Sequence, residues 1–178
     1  MDKKGISKLV IVVIAVIVLL VVGVAAYWTM GSGGGDGVVD DGGTTVDVAG
    51  ASSLQYKVSI NLVEDSESME YTYMIKNAET SDMMMRIEME SSDESFIYII
   101  NGAQEKVWVY SEGEWMDLSD FFPTYWDTWN SAWEGYRTNL LDWTGVGDWS
   151  YTTPNGDVVR IYDINVNPSL ADSLFQHS

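Results

Sequence analysis

The chain has 178 residues, a formal charge of −18 and no cysteine. A negative field of this size argues against binding to nucleic acid or to anionic lipid headgroups, and the lack of cysteine excludes disulfides and a lipobox anchor. The length leaves room for one domain of ordinary size beside a membrane segment.

The first predicted element is a transmembrane helix over residues 9–28. This stretch carries no charge and consists mostly of Val, Ile, Leu and Ala. Twenty helical residues rise roughly 30 Å, about the thickness of the hydrocarbon core. Three lysines lie within residues 1–8, whereas no basic residue follows the helix before Lys57. The positive-inside rule therefore predicts a single-pass protein of the cell membrane, with residues 1–8 in the cytoplasm and the rest outside.

Two processing events are alternatives to a permanent anchor. The Val-Ala-Ala sequence at residues 24–26 fits signal peptidase, although the apolar stretch before it is longer than a usual h-region. Residues 3–7 resemble the class III signal of archaeal pilins, which is cut after the glycine and leaves the helix for filament assembly. The chain lacks the early glutamate of the pilin pattern, so lysines that orient an anchor are the preferred interpretation.

Residues 29–53 are predicted to form a flexible linker. They are rich in Gly and Asp and offer little apolar surface to bury. Asp36, Asp40 and Asp41 do not follow the alternating spacing of an EF-hand loop, which also needs a closing Glu. No calcium site is therefore predicted, and the folded extracytoplasmic domain is assigned to residues 54–178.

Five strands are predicted in the first half of this domain, because apolar and polar residues alternate there. The predicted strands are residues 54–62, 69–76, 83–90, 96–100 and 107–110. Asn101-Gly102 supplies turn chemistry between the last two. Short strands joined by polar turns predict an antiparallel meander with one face in contact with solvent.

The periodicity then changes to that of an amphipathic helix, which starts at Ser119 or Asp120 as its N-cap and stops at residues 145–147. Bulky apolar residues recur at steps of three and four: Phe122, Trp126, Trp129, Trp133, Tyr136, Leu140 and Trp143. Pro123 falls in the first turn, where proline is tolerated.

Two further strands are predicted at residues 149–152 and 158–166. In the second, one face should carry Val158, Arg160, Tyr162, Ile164 and Val166. The predicted fold class is α+β: a curled antiparallel sheet, or half-barrel, with the Trp-rich helix across its concave face.

Residues that support catalysis are scarce. The only histidine is His177, near the end of the chain, so a Ser-His-Asp or Cys-His arrangement is close to excluded. Most Asp and Glu residues lie in turns or at outward strand positions, where a charge is simply solvated. We therefore predict no catalytic residue, no metal site and no cofactor, and we expect the protein not to be an enzyme.

The aromatic and Met content suggests binding instead. Eight Trp, ten Tyr and nine Met residues could simply fill the core of a disulfide-free domain. If sheet and helix do not close fully, flexible Met and flat aromatic side chains would line a groove for an acyl chain or another apolar ligand. The predicted ligand-binding residues are Met85, Ile87, Trp126, Trp129, Trp133 and Tyr136.

Two segments carry a family resemblance. They are Ile99-Ile100-Asn101-Gly102-Ala103, which leads into residues 107–110 and Trp115, and the tail Asn167-Pro168-Ser169-Leu170-Ala171-Asp172-Ser173-Leu174-Phe175 after the last strand. With the order of elements, they resemble the lipoprotein-localisation factor (LolA-like) superfamily over residues 52–176. The resemblance implies a curled sheet with helices in its mouth and binding of lipid or lipoprotein.

The chain departs from that family in two ways. The bacterial carriers begin with a helix before the first strand, whereas residues 44–53 of this chain supply at most one turn of a helix. This chain is also predicted to be tethered, and a tethered chain cannot act as a diffusible shuttle. We therefore expect a membrane-tethered binding domain for a lipid-like ligand. The alternative is a structural or assembly role, such as a minor pilin-like subunit or an envelope interaction module.

Overall fold

The computed structural model describes residues 47–61, 68–90, 95–153 and 156–177. The predicted transmembrane helix over residues 9–28 and most of the predicted linker lie outside these ranges. Within them, no helix combines the length and the apolar character needed to cross a membrane.

Eight antiparallel strands of the described residues form one open sheet. They are β1 (Ser53–Asn61), β2 (Ser68–Lys76), β3 (Met84–Glu90), β4 (Ser95–Asn101), β5 (Lys106–Ser111), β6 (Glu114–Asp117), β7 (Trp149–Thr152) and β8 (Val158–Val166). The order across the sheet is β6-β5-β4-β3-β2-β1-β8-β7. The predicted antiparallel meander is therefore confirmed, and β8 and β7 extend it beyond β1.

The sequence pattern missed β6, which forms a tight hairpin with β5. Glu112 and Gly113 join the two strands, and both have positive φ, at 52° and 87°. Two positive φ values are what a type I′ turn requires, and Asn or Asp is the usual residue at the position that Glu112 takes. Four residues with an unusual turn residue gave too short a pattern to recognise as a strand.

One long helix, α1 (Phe122–Leu140), connects the two edges of the sheet, since β6 lies at one edge and β7 at the other. Nineteen residues span roughly 28 Å, whereas eight flat strands would span roughly 34 Å. A curled sheet brings its edges within reach of the helix ends. We call the sheet face that packs against α1 the inner face and the opposite face the outer face.

The main core lies between α1 and the inner face. Alternate residues of the strands point into it, as in β3, where Met85, Ile87 and Met89 are buried. Val48 and Ala51, which precede β1, are also buried in this core. The packed part of the chain therefore extends N-terminal to Leu54, where the alternation placed its start.

A bulge changes the pattern of β8. Its register against β1 shifts between Gln55 and Lys57, and Asp163 has a φ of 52° there. Val159 and Ile161 are buried before the bulge, and Ile164 and Val166 pack on the same core after it. The prediction that Val158, Arg160, Tyr162, Ile164 and Val166 share one face is therefore wrong, because the extra residue reverses the alternation.

The C-terminal tail packs on the outer face. After β8 it forms a 3-10 turn at Asp172–Phe175, and Leu170 and Phe175 are buried against Ile99. Lys76 Nζ donates to the carbonyl oxygen of Leu170 at 2.9 Å and pairs with Asp172. These contacts fasten the tail across the outside of β2, β3 and β4.

A second cation holds the tail further along. Arg86 Nη1 donates to the carbonyl oxygen of Leu174 at 3.0 Å and also pairs with Glu88. Because both backbone contacts use carbonyl oxygens, they do not depend on the side chains of the tail.

Candidate functional site

The start of α1 differs from the predicted cap. A 3-10 turn at Ser119–Phe121 precedes the helix, and no side chain caps its first turn. The Ser119 hydroxyl instead accepts a hydrogen bond from the Val107 N–H at 3.2 Å and donates one to Asp117. The predicted N-cap role of Ser119 or Asp120 is therefore wrong, because the hydroxyl of Ser119 accepts a hydrogen bond from the backbone of β5 instead of from the first turn of the helix.

A close approach between the β4–β5 turn and α1 sets the position of the helix start. A Cβ atom at Gly102 would lie 2.8 Å from the ring of Trp126 and 3.0 Å from the carbonyl oxygen of Met83. Only glycine leaves room for both neighbours. The same Trp126 ring stacks on Phe122, with 5.5 Å between the ring centroids.

The structure brings together five of the six predicted ligand-binding residues. They lie between α1 and the inner face, and none is more than 2% exposed: Met85, Ile87, Trp129, Trp133 and Tyr136. The sixth, Trp126, is only partly buried and packs at the start of α1. Together they belong to a closely packed interior, and ligand binding by these residues stays a prediction.

Tyrosines form much of the sheet's side of this interior. The ring centroids of Tyr56 and Tyr73 are 5.2 Å apart, and those of Tyr73 and Trp129 are 6.1 Å apart. Tyr98 lies closer still to Trp129, at 5.0 Å. Sequence reasoning missed these tyrosines as site residues, although the alternation in β1 and β2 already indicated a buried face for Tyr56 and Tyr73.

Four buried polar atoms of this cluster have no hydrogen-bond partner among the described residues. They are the hydroxyls of Tyr56, Tyr73 and Tyr98 and the indole N–H of Trp129. The Tyr136 hydroxyl interacts with that of Tyr73 without reaching hydrogen-bond geometry, so the other three atoms are the stronger cases. An unsatisfied buried group costs about 1–3 kcal/mol, and native interiors hold few of them.

The interior is electrically neutral. Burial raises the pKa of Tyr56, Tyr73 and Tyr98 above the ordinary tyrosine value of about 10. Burial also raises the pKa of Tyr125, at the same interface, to about 12. These hydroxyls therefore stay protonated at neutral pH and can exchange hydrogen bonds with a neutral ligand, but they offer no base for catalysis.

Among the described residues, no group of three or more His, Cys, Asp or Glu side chains could hold a metal ion. His177, the one histidine of the chain, lies on the outer face, where its ring contacts Trp108.

Comparison with known proteins found no match to a family model, to a curated protein or to a solved structure. The resemblance to LolA-like domains therefore stays a prediction.

Proposed function

We propose that this chain is a membrane-tethered extracytoplasmic binding domain without catalytic activity. Its ligand has an apolar body and a few polar groups, as a lipid does. The ligand is taken up between α1 and the inner face of the sheet, which together form a half-barrel with the helix across its concave side. Residues 9–28 anchor the domain, and residues 1–8 lie in the cytoplasm.

The observation that carries the proposal is the set of unpartnered polar atoms at one interface. Phe in place of Tyr56 or Tyr98 would pack in nearly the same space without the cost of an unpaired hydroxyl. A ligand with hydroxyl or ester oxygens could accept the indole N–H of Trp129 and pair with the tyrosine hydroxyls. Its apolar body would replace the aromatic contacts that uptake disrupts.

Uptake requires α1 to move away from the sheet. Among the described residues, Arg137 links α1 to the segments before β1 and β3 through two hydrogen bonds. It donates to Glu79 Oε1 at 2.7 Å and to the carbonyl oxygen of Ala49 at 2.8 Å. The start of the helix has no side-chain cap to hold it. Displacement of α1 as a unit breaks the two hydrogen bonds of Arg137 and exposes apolar surface, which adds a further cost.

The full chain in lipid nanodiscs allows a direct test with a diazirine-labelled diacylglycerol, a neutral lipid with hydroxyl and ester oxygens. After irradiation, peptide mapping should find the label on α1 and on inner-face strands. A Glu79→Cys/Arg137→Cys variant joined by a short bis-maleimide should lose this labelling, because the link holds α1 down. The chain has no other cysteine, so the same variant capped with N-ethylmaleimide is the matched control.

The opposite result has an equally clear meaning. Label confined to residues 9–28, or equal labelling of linked and capped variants, would refute uptake between helix and sheet. The alternative function, a structural or assembly module, rests on one observation: Trp129 and Trp133 are each only 1% exposed. A filled interior of this kind needs no ligand, and the module would act through its surface.

A further inference from the structure

The outer face carries a cavity whose lining residues are separate from those of the interior. A cleft of about 500 Å³ lies between the β4–β5 turn and the end of the C-terminal tail. Sites for small ligands have volumes of roughly 300–1,000 Å³, so the cleft is large enough for one. It opens to solvent on the side of the sheet that faces away from α1.

Two aromatic rings form one wall of the cleft. The centroids of Trp108 and His177 are 4.7 Å apart, with 47° between the ring planes. A flat base held between two rings would need them roughly 7 Å apart, twice the usual contact distance. The two rings touch each other instead, so a ligand meets their edges and remaining faces from the side.

Three amide side chains contribute to the polar lining. Asn101, Gln104 and Gln176 each present a side chain that can both donate and accept hydrogen bonds. The Asn101 side chain is held in place, since its Oδ1 accepts the N–H of Gln104 at 3.0 Å. An acyl chain in this cleft would leave the amides without partners, so a purely apolar ligand is disfavoured.

Charge narrows the ligand class further. The lining includes the carboxylate of Asp172, which is paired with Lys76, and, in the described ranges, neither lysine nor arginine lines the cleft itself. The whole chain has a formal charge of −18. Phosphorylated, sulfated or sialylated ligands would therefore be repelled. What fits is a neutral ring with apolar C–H faces and several hydroxyl groups.

We propose that this cleft is a binding site for a neutral saccharide. The ring of the sugar packs against Trp108 and His177, and its hydroxyls pair with Gln104, Gln176 and Asp172. The cleft shares no residue with the interior, so saccharide binding can be tested independently of lipid uptake.

A glycan array tests the proposal with the full chain in nanodiscs. The array should carry neutral hexose and N-acetylhexosamine oligosaccharides beside sialylated and sulfated ones. We expect binding to neutral glycans only. Trp108→Ala and Gln104→Ala should each weaken the best binder by roughly tenfold or more. Gln104 is exposed, so its variant folds even if the Trp108 variant does not.

Tyr110→Ala is the matched control, because Tyr110 is a partly buried aromatic residue on the same face of β5 as Trp108 but does not line the cleft. It should keep its affinity within about twofold. Three results would overturn the proposal: no glycan binds, charged glycans bind better than neutral ones, or binding survives both Trp108→Ala and Gln104→Ala.

Discussion

The two faces of the sheet are built from the same strands but are covered by very different elements. A helix of 19 residues covers the inner face, whereas a tail with a turn of four residues crosses the outer face. Strand β3 shows the result, since Met85 and Ile87 are completely buried and their neighbours Met84 and Arg86 are only partly buried.

We expect the two faces to differ in how much they stabilise the fold. Apolar burial contributes roughly 25 cal/mol for each Å² removed from water, so the face with the larger cover should supply most of the stability. The inner face also holds the buried hydroxyls that have no partner among the described residues. On the outer face, Lys76 and Arg86 donate hydrogen bonds to carbonyl oxygens of the tail. Four experiments test this difference between the two faces.

The largest effect should come from Trp129→Ala. Loss of a fully buried Trp from a core costs about 3–5 kcal/mol, against a total stability of about 5–15 kcal/mol for a typical domain. Trp115→Ala on the outer face should cost about 1 kcal/mol, because Trp115 is only partly buried. Urea unfolding of both variants, followed by circular dichroism, measures the two losses. Equal losses would mean that the two faces contribute equally to stability.

Phe175→Ala should cost about 2 kcal/mol, less than the usual range for a buried Phe, because the tail can detach without unfolding the sheet. Carboxypeptidase should then digest the tail faster than in the wild type. Leu174→Ala, at a partly buried neighbour, serves as the control and should digest at nearly the wild-type rate. Slow digestion of the Phe175 variant would mean that Lys76 and Arg86 hold the tail by themselves.

Tyr98→Phe should raise the free energy of unfolding by about 1 kcal/mol, because it removes a buried hydroxyl that has no partner in the part of the chain that the structure describes. Tyr162→Phe on the outer side of β8 should lower it by about 1 kcal/mol, because that hydroxyl donates a hydrogen bond to Glu70. Thermal and urea unfolding of the pair measure the sign. A destabilised Tyr98 variant would indicate a bound water or another partner for that hydroxyl.

The smallest effect concerns pH. The hydrogen bond from Tyr162, helped by Lys57 and opposed by desolvation, lowers the pKa of Glu70. The carboxylate therefore stabilises the fold above the unfolded pKa of about 4.3, and this contribution disappears as the pH falls through the folded pKa. Since the pair with Lys57 is partly exposed, we expect less than about 1 kcal/mol.

Glu70→Gln isolates this contribution. Its stability should fall below that of the wild type at pH 7, and the difference should disappear as the pH falls through the folded pKa of Glu70. A difference that persists at low pH would mean that the carboxylate charge is not its origin.

Much of the fold could be predicted because its patterns are local. The alternation in β1 to β3 and the three–four spacing in α1 each arise within one element, and burial of one face makes them visible. The features that sequence reasoning missed depend on partners far away in the chain. The bulge at Asp163 exists only because β8 pairs with β1. The Ser119 hydroxyl bonds to the backbone N–H of Val107 in β5 and does not cap the helix.

The candidate site divides in the same way. Sequence alone determined that Trp129, Trp133 and Tyr136 share one face of a helix and that Met85 and Ile87 share one face of a strand. The tertiary structure was needed to show that these two faces meet and close, and that the described residues give several buried tyrosine hydroxyls no hydrogen-bond partner. The physical reason is that periodicity specifies which side chains avoid water, whereas hydrogen-bond partners and empty space depend on which elements come into contact.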